Sequence, residues 1–509
     1  MSESRTSNSI KNITFNIGNQ LLNLILAFVS RTVFLQVLNV EYLGISGLFG
    51  DIFAMLCLAD LGFGTAMTYS MYKPLAEHDY DRLAGLVTLY QKVYRIIAVA
   101  VAGVGLALIP FLRYLVKLET DMPQLELYYI LSLANCVASY LVVYKTSIIG
   151  ADQKNFLTTK YTGIFSILRT VSTTVFLWAT RNYVGYLVIN VAFTYFTNFF
   201  NSYIAEKEYP FIKKKVQLPK EEIREILGNI KSVFIYKFSS VLITATDNML
   251  ISSLISTASV GYYSNYMVAV NKVYNIVNTI FYSLTASLGN LIVKENERRR
   301  YEIFEIMQSV SLILSTFCVT CIFCLEDDFI RLWLGADYLL DKTVLWAIIA
   351  NFYFSIILMP IWVFREATGL YRKTKYVMLS TAAVNLIVSI LLSRWLGLAG
   401  ILLGTSVARL TTYFWYEPVL LFKKYFGKTS AVYFGGVVKS LCVTAAILLS
   451  ISFVSNMIEV ASWLGLLMKA VAVGAGSLII VVLIYRQTEG FKLIGERVKA
   501  MLLSFVSKK

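Results

Sequence analysis

Basic side chains inside otherwise apolar stretches are the residues of this chain best suited to binding chemistry. Arg31, Arg169, Lys237, Lys272 and Arg409 each fall within a run of apolar residues. Placing a charge at such a depth in a membrane is costly, so each marks either a structural pair or a site. Arginine presents a planar fork that matches phosphate, and lysine presents a point charge. These cations therefore predict a substrate-binding site for an anionic ligand.

The acidic candidates at comparable depth are Asp60 and Asp247. Lys237 and Asp247 are ten positions apart in the sequence, about 15 Å along a helix, so they cannot pair directly. An anionic ligand would neutralise the excess of buried cations. The two aspartates are candidates for coupling to H+ or Na+, and the sequence equally allows them to be structural partners of the arginines.

Polar residues repeat along one face of several apolar stretches. The asparagines predicted to line a cavity are Asn16, Asn19, Asn23, Asn248 and Asn275. For any single asparagine, interhelical hydrogen bonding is an adequate explanation. A stripe that runs the length of a helix must face protein or water instead of lipid. Stripes on both the first and the seventh stretch favour a shared hydrated cavity.

The elements that must position these residues are membrane helices. Fourteen apolar stretches, most about 20 residues or longer, run between Ile13 and Tyr485, and each is long enough to cross a bilayer. Only helices satisfy the backbone hydrogen bonds of such isolated segments in lipid. Charged residues make up 15% of the chain, well below the roughly 25% of soluble domains. We expect an all-α integral membrane protein with about 14 transmembrane helices.

The net charge of +15 is distributed unevenly along the chain. Lys and Arg concentrate in the N-terminal tail, in alternate loops and in the C-terminal tail. The opposite loops hold only Arg113, Lys117, Arg181, Arg331, Lys342 and Arg394. This asymmetry places both termini in the cytoplasm. It also directs the basic surface towards anionic membrane lipids, and we expect no nucleic-acid partner.

The chain repeats itself weakly. Leu43-Gly44 recurs as Val260-Gly261 and Asn12-Ile13 as Asn229-Ile230, both with an offset of 217 residues. Two parallel repeats of six helices follow, because an even number of helices returns the chain to the same side. The predicted organisation is an N-terminal lobe (1–205), a cytoplasmic linker (206–229), a C-terminal lobe (230–422), two extra helices (437–485) and a cytoplasmic amphipathic tail (486–509).

Motifs of catalysis are missing from the sequence. It contains no nucleotide-binding G-x-x-x-x-G-K-[ST], no G-x-S-x-G and no H-E-x-x-H. The longest outer loop, 326–342, is short for a membrane enzyme that acts on extracellular glycans. We therefore predict a transporter and not an enzyme, with no catalytic residues, no metal site and no cofactor.

Particular residues resemble those of a known family. The stretch from Glu41 to Ile52, continuing from Ala59 to Gly64, resembles the helix 1–2 region of bacterial Wzx-type flippases for O-antigen and capsule. Arg31, the segment from Gly150 to Lys154, and Val260 to Tyr263 also fit. These flippases belong to the multidrug/oligosaccharidyl-lipid/polysaccharide exporter superfamily.

The resemblance implies a MATE-like fold with two lobes in a V around a cationic cavity. The implied cargo is an undecaprenyl-pyrophosphate-linked oligosaccharide, flipped across the bacterial cytoplasmic membrane by alternating access. Arg31 is the residue that the resemblance assigns to the pyrophosphate, whereas Lys237, Lys272 and Arg409 depend on the polarity argument. Implied partners are membrane lipids, a polysaccharide polymerase and glycosyltransferases, and implied energy sources are H+ or Na+ gradients.

Other functions fit the same pattern less well. A cation-coupled multidrug extruder of the same fold would have a cavity dominated by carboxylates. A lipid II flippase would share the cationic cavity. A membrane glycosyltransferase, glycan polymerase or ligase would need larger outer loops than this sequence provides.

Overall fold

A computed structural model describes residues 25–57, 63–152 and 154–493 of the 509-residue chain. Throughout the described ranges the secondary structure is helical, with turns and short connections between helices. The chain forms two compact units, Met1–Gly261 and Tyr262–Lys509. The boundaries predicted from sequence for the two lobes, the linker and the extra helices stay a prediction.

The first unit contains ten helices and the start of an eleventh among its described residues. They are α1 (Ile25–Val37), α2 (Val40–Leu56), α3 (Phe63–Glu77), α4 (Tyr80–Ala107), α5 (Leu112–Leu115), α6 (Leu125–Tyr140), α7 (Val143–Ala151), α8 (Phe156–Thr180), α9 (Tyr183–Glu208), α10 (Lys220–Leu250) and α11 (Thr257–Tyr282). Helix α10 begins inside the predicted linker. Its first turn carries Glu221 and Glu222, which favour a helix start there because they face the positive end of the helix dipole.

The second unit continues α11 and adds α12 (Thr285–Lys294), α13 (Glu297–Leu334), α14 (Lys342–Ile357), α15 (Met359–Thr368), α16 (Tyr371–Thr411), α17 (Tyr413–Leu421), α18 (Ala431–Ser455) and α19 (Trp463–Tyr485). The last two helices pack on α13. Lys469 of α19 anchors this contact by an ion pair of 2.7 Å with Asp328 of α13.

The lengths and hydropathies of these helices are those of a multi-pass membrane protein. Among the described residues, seven helical segments are long and apolar enough to cross a bilayer, and nine if each of two bent pairs is one span. The predicted all-α membrane class is therefore confirmed, and the count of 14 helices stays a prediction.

Two of the predicted spans are broken at equivalent positions. Helices α6 and α7 meet at 46° around Leu141, and α14 and α15 meet at 41° around Leu358, which lies 217 residues later. At the second break, Pro360 has no N–H for the carbonyl of Ile356 and its ring crowds that carbonyl. The offset equals that of the sequence repeat and supports it.

Candidate functional site

Helix periodicity groups the polar residues of α1 and α8 on single faces. On α1, Ala27, Ser30, Arg31 and Phe34 recur at intervals of three or four residues. On α8, Ser166, Arg169 and Thr170 do the same. Residues three and four apart lie on one side of a helix, so each arginine is flanked by hydroxyl groups or small side chains.

Four helices of the first unit, α1, α2, α8 and α9, line an open cavity of about 320 Å³. Arg31 and Arg169 both line it, although 138 positions separate them in the sequence. The remaining lining residues are Leu26, Ala27, Ser30, Phe34, Leu43, Ser46, Ser166, Thr170 and Tyr186. The structure thus brings two of the predicted cations together in one site.

The chemistry of this cavity, which we call the arginine cavity, is that of an anion site. Its lining has two guanidinium groups and five hydroxyl groups, and no acidic side chain among the described residues. Tyr186 interacts electrostatically with both arginines. Guanidinium forks and hydroxyl donors together can surround the oxygens of a phosphate group. The arrangement provides positive charge and hydrogen-bond donors, and neither a carboxylate nor a histidine lines it among the residues that the structure describes.

Aromatic rings hold the helices around the arginine cavity. Phe34 packs edge-on against Tyr183 and Tyr186, with ring centroids 5.9 and 5.6 Å apart. Tyr183 and Tyr186 stack at 5.7 Å, and Tyr42 of α2 contacts Tyr183 at 4.9 Å. Edge-to-face pairs of this kind stabilise packing beyond simple burial. These ring contacts hold α1, α2 and α9 together around the arginine cavity.

Ion pairing separates Arg169 from the structural cations. Arg365 pairs with Glu417 at 2.9 Å, Lys145 with Glu206 at 2.5 Å, and Lys469 with Asp328 at 2.7 Å. Within the described ranges, Arg169 has no carboxylate within 4 Å. A half-buried guanidinium without a carboxylate partner keeps its capacity to bind an anion.

The other predicted site residues of the first unit that the structure describes lie on α10. Lys237 and Asp247 are half-buried there and are not among the residues that line the arginine cavity. Asn248 donates a hydrogen bond of 2.6 Å from Nδ2 to Oδ2 of Asp51 on α2. For a single asparagine, the sequence allows an interhelical hydrogen bond as the alternative to lining a cavity, and this contact is such a bond. The role of Asn248 in lining a cavity stays a prediction.

Lys272, Asn275 and Arg409 belong to the second unit. Lys272 is half-buried, and Asn275 is exposed. Arg409 donates from Nη1 to the hydroxyl of Ser355 at 2.6 Å and to the backbone oxygen of Asn351 at 3.4 Å. Like Arg169, Lys272 and Arg409 make no ion pair with the residues that the structure describes. Their roles as cargo-binding residues stay predictions.

Four predicted site residues lie outside the described residues. They are Asp60, Asn16, Asn19 and Asn23. Most of the predicted amphipathic tail, from residue 494 onward, also lies outside them.

Sequence reasoning missed Tyr186, Ser46 and Asp51. The hydroxyls of Ser166 and Thr170 were detectable, because they share the face of Arg169. Tyr186 gave no such signal, since tyrosine is common near the ends of membrane helices. Asp51 lies in an apolar stretch and was detectable by the criterion that selected Asp60 and Asp247.

Comparison with known proteins identifies the family to which the chain belongs. A family model described as polysaccharide biosynthesis protein matches residues 9–288, more than half of the chain. The chain belongs to this family of polysaccharide biosynthesis proteins. The family match includes all four helices around the arginine cavity. Among curated proteins, no sequence matches the chain.

Solved structures show which fold this member of the family has. A lipid II flippase, MurJ, in an inward closed conformation is similar with a TM-score of 0.66 and 16% identity, over 93% of this chain and 99% of the flippase. An inward-facing multidrug resistance MATE transporter of the MOP superfamily is similar with a TM-score of 0.61 and 13% identity, over 77% and 93% of the two chains. A MATE transporter of Vibrio cholerae has a TM-score of 0.53 and 15% identity, over 83% and 97%.

These similarities confirm the predicted MATE-like fold class. The solved structures are those of a flippase and of transporters.

Proposed function

We propose that the protein is a flippase that moves an undecaprenyl-pyrophosphate-linked oligosaccharide across the bacterial cytoplasmic membrane by alternating access. The glycan is polar and the carrier is apolar, so the cargo needs a protein path for its head group and lipid for its tail. Family membership in polysaccharide biosynthesis supports this class of cargo. The shared fold with a lipid II flippase supports the reaction.

The arginine cavity is the observation that carries the proposal. A pyrophosphate presents several anionic oxygens, which suit two guanidinium forks surrounded by hydroxyls. Arg169 is not neutralised by a carboxylate of the described chain. Binding of the anionic cargo therefore supplies a counter-charge for this guanidinium. In this role Arg31 and Arg169 hold the pyrophosphate, and Tyr186 adds a hydroxyl between them.

The cellular setting belongs to the same proposal. Both termini lie in the cytoplasm, as the distribution of Lys and Arg favours. The cargo is supplied by glycosyltransferases on the inner face and consumed by a polysaccharide polymerase on the outer face. A gradient of H+ or Na+ drives the cycle.

Complementation of a deletion strain tests the proposal. The deletion strain should lose surface polysaccharide, and the wild-type gene should restore it. Arg31→Gln and Arg169→Gln should fail to restore it at equal protein level, because an amide has no charge for the pyrophosphate. Arg113→Gln is the matched control, because Arg113 is exposed and lies outside the arginine cavity. Full restoration by both cavity variants would rule out the assigned site.

A cation-coupled drug extruder is the second candidate. Two observations favour it: the fold is shared with multidrug transporters, and Asp51 provides a carboxylate within an apolar helix. Drug susceptibility on overexpression separates the two functions. Increased resistance to cationic drugs, together with unchanged surface polysaccharide in the deletion strain, would favour the extruder.

A further inference from the structure

Asp51 is a carboxylate that the proposed cargo site does not use. It is half-buried on α2, an apolar helix, and its hydrogen bond comes from the amide of Asn248 on α10. It makes no ion pair with any residue that the structure describes. The four side chains of Arg31, Arg169, Asp51 and Asn248 thus divide into a cationic site and a separate carboxylate–amide pair.

The helix that carries Asp51 packs against two others. Helix α2 packs along α10, and Gly44 of α2 lies directly against the backbone oxygen of Thr257, the first residue of α11. Gly44 and Asp51 are seven residues apart, which corresponds to about 10 Å along the helix. The close contact therefore lies about two helical turns from Asp51, on the same side of α2.

Other titratable and charged groups lie on α2 itself and on the neighbouring helices α1, α4, α6 and α10. They are Arg31 on α1, Glu41, Tyr42 and Cys57 on α2, Tyr90 and Tyr94 on α4, Tyr128, Tyr129 and Cys136 on α6, and Lys237 and Asp247 on α10. None of them forms a hydrogen bond or ion pair with Asp51 in the described part of the chain. An ionised Asp51 would therefore be a half-buried anion in an apolar helix with no cation paired to it among the described residues, which is costly.

The hydrogen bond between Asp51 and Asn248 indicates how the cost of an ionised Asp51 is avoided. The separation of 2.6 Å is typical of O–H···O hydrogen bonds and shorter than most N–H···O bonds. Oδ1 of Asn248 is buried and receives no hydrogen bond from the residues that the structure describes. An asparagine amide can present either its NH2 group or its carbonyl oxygen to the same neighbour. With the carbonyl turned towards Asp51, a carboxylic acid O–H donates to it across that distance.

We propose that Asp51 binds the proton that drives transport, as a carboxylic acid hydrogen-bonded to Asn248. This inference rests on the proposed function. In the step concerned, the O–H bond of the acid breaks, its electron pair stays on the carboxylate oxygen, and the proton passes to water. The neutral acid is compatible with the packing of α2 along α10. The carboxylate needs hydration, so loss of the proton favours separation of these helices.

A proton fits this pair better than a metal ion. Hard cations require several oxygen ligands, usually including more than one carboxylate. In the described residues no group of three or more Asp, Glu, His or Cys side chains converges. One carboxylate and one amide are sufficient for a shared proton.

Translocation in proteoliposomes tests the coupling. The full-length protein is reconstituted with a labelled lipid-linked oligosaccharide, and transfer between leaflets is followed with an imposed pH gradient or with a Na+ gradient. We expect the pH gradient to accelerate the wild type and Asp337→Asn, an exposed control on an outer loop. Asp51→Asn, which mimics the neutral acid, should translocate at one rate with or without the gradient, and Asp51→Glu should keep a response. A normal pH response of Asp51→Asn, or acceleration of the wild type by Na+ alone, would overturn the proposal.

Infrared difference spectroscopy tests proton binding without any cargo. The purified wild-type protein should show the carbonyl band of a protonated carboxylic acid at neutral pH. Asp51→Asn should lose that component, and Asn248→Ala should shift it, because its hydrogen-bond partner is removed. Identical bands in the wild type and Asp51→Asn would refute proton binding even if the cargo were correct. Asp51→Asn could lose this band while the wild type transfers no glycan. That result would refute the proposed function but would leave proton binding at Asp51 intact.

Discussion

Gly44 and Gly261, two glycines 217 residues apart, lie against each other's helices with no room for side chains. A Cβ on Gly44 would meet the backbone oxygen of Thr257, and a Cβ on Gly261 would meet the backbone oxygen of Val40 and lie 3.3 Å from the nitrogen of Gly44. The sequence repeat pairs these same two positions. The equivalent positions of the repeat therefore form one close crossing of α2 and the start of α11.

The first prediction concerns this crossing. Gly44→Val or Gly261→Val should destabilise the protein by about 1–3 kcal/mol, since backbone atoms cannot move aside as flexible side chains do. The melting temperature in detergent measures the effect. Gly50→Ala on the same helix is the control, because a Cβ there meets no atom within 4 Å. A melting temperature of Gly44→Val equal to that of the control would contradict the close crossing.

The second prediction concerns Arg365 and Glu417, which are both buried. Arg365→Met leaves the carboxylate of Glu417 without its principal partner and should cost about 3–5 kcal/mol. The double variant Arg365→Met/Glu417→Leu should recover much of that loss, since both charges are then gone. A double-mutant cycle on unfolding measures the coupling, with the exposed Arg394→Met as control. Additive effects of the two single changes would show that the pair is not coupled.

The third prediction separates charge from geometry at the arginine cavity. Arg169→Lys keeps the positive charge and loses the planar fork. We expect surface polysaccharide in the complemented deletion strain to lie between the wild type and Arg169→Gln. If Arg169→Lys restored surface polysaccharide to the wild-type level, positive charge alone would be sufficient. The planar guanidinium fork of Arg169 would then not contact the cargo.

The fourth prediction concerns pH and the predicted start of the linker. The hydrogen bond from Lys145 holds the pKa of Glu206 below its usual value, and Lys213 adds to the effect. A lowered folded-state pKa stabilises the fold above the unfolded value of about 4.3. That contribution is lost as the pH falls through the folded pKa.

Melting curves between neutral pH and about pH 3.5, a range that spans the usual carboxyl pKa, check this sign. Glu206→Gln should lower the melting temperature at neutral pH and make it less sensitive to acid than the wild type. Glu459→Gln is the control, because Glu459 is exposed. An acid sensitivity of Glu206→Gln equal to the wild type would exclude a role for this pair.

Hydropathy is a local property, so the sequence alone was sufficient for the membrane class, the helical secondary structure and the excess of deep cations. It also supplied the repeat offset that reappears in the breaks at Leu141 and Leu358. It did not reveal the first break, because that break contains neither proline nor glycine and depends on how α6 and α7 pack.

Tertiary structure decided which charges act together. Arg31 and Arg169 share a cavity, whereas Arg365 is matched by Glu417 and Lys469 by Asp328. All of these cations look alike in the sequence, since each is a basic residue in an apolar stretch. Whether a buried cation is neutralised depends on which helix faces it, and that is set by packing between residues far apart in the chain. For the same physical reason, only the fold could place Asp51 against Asn248.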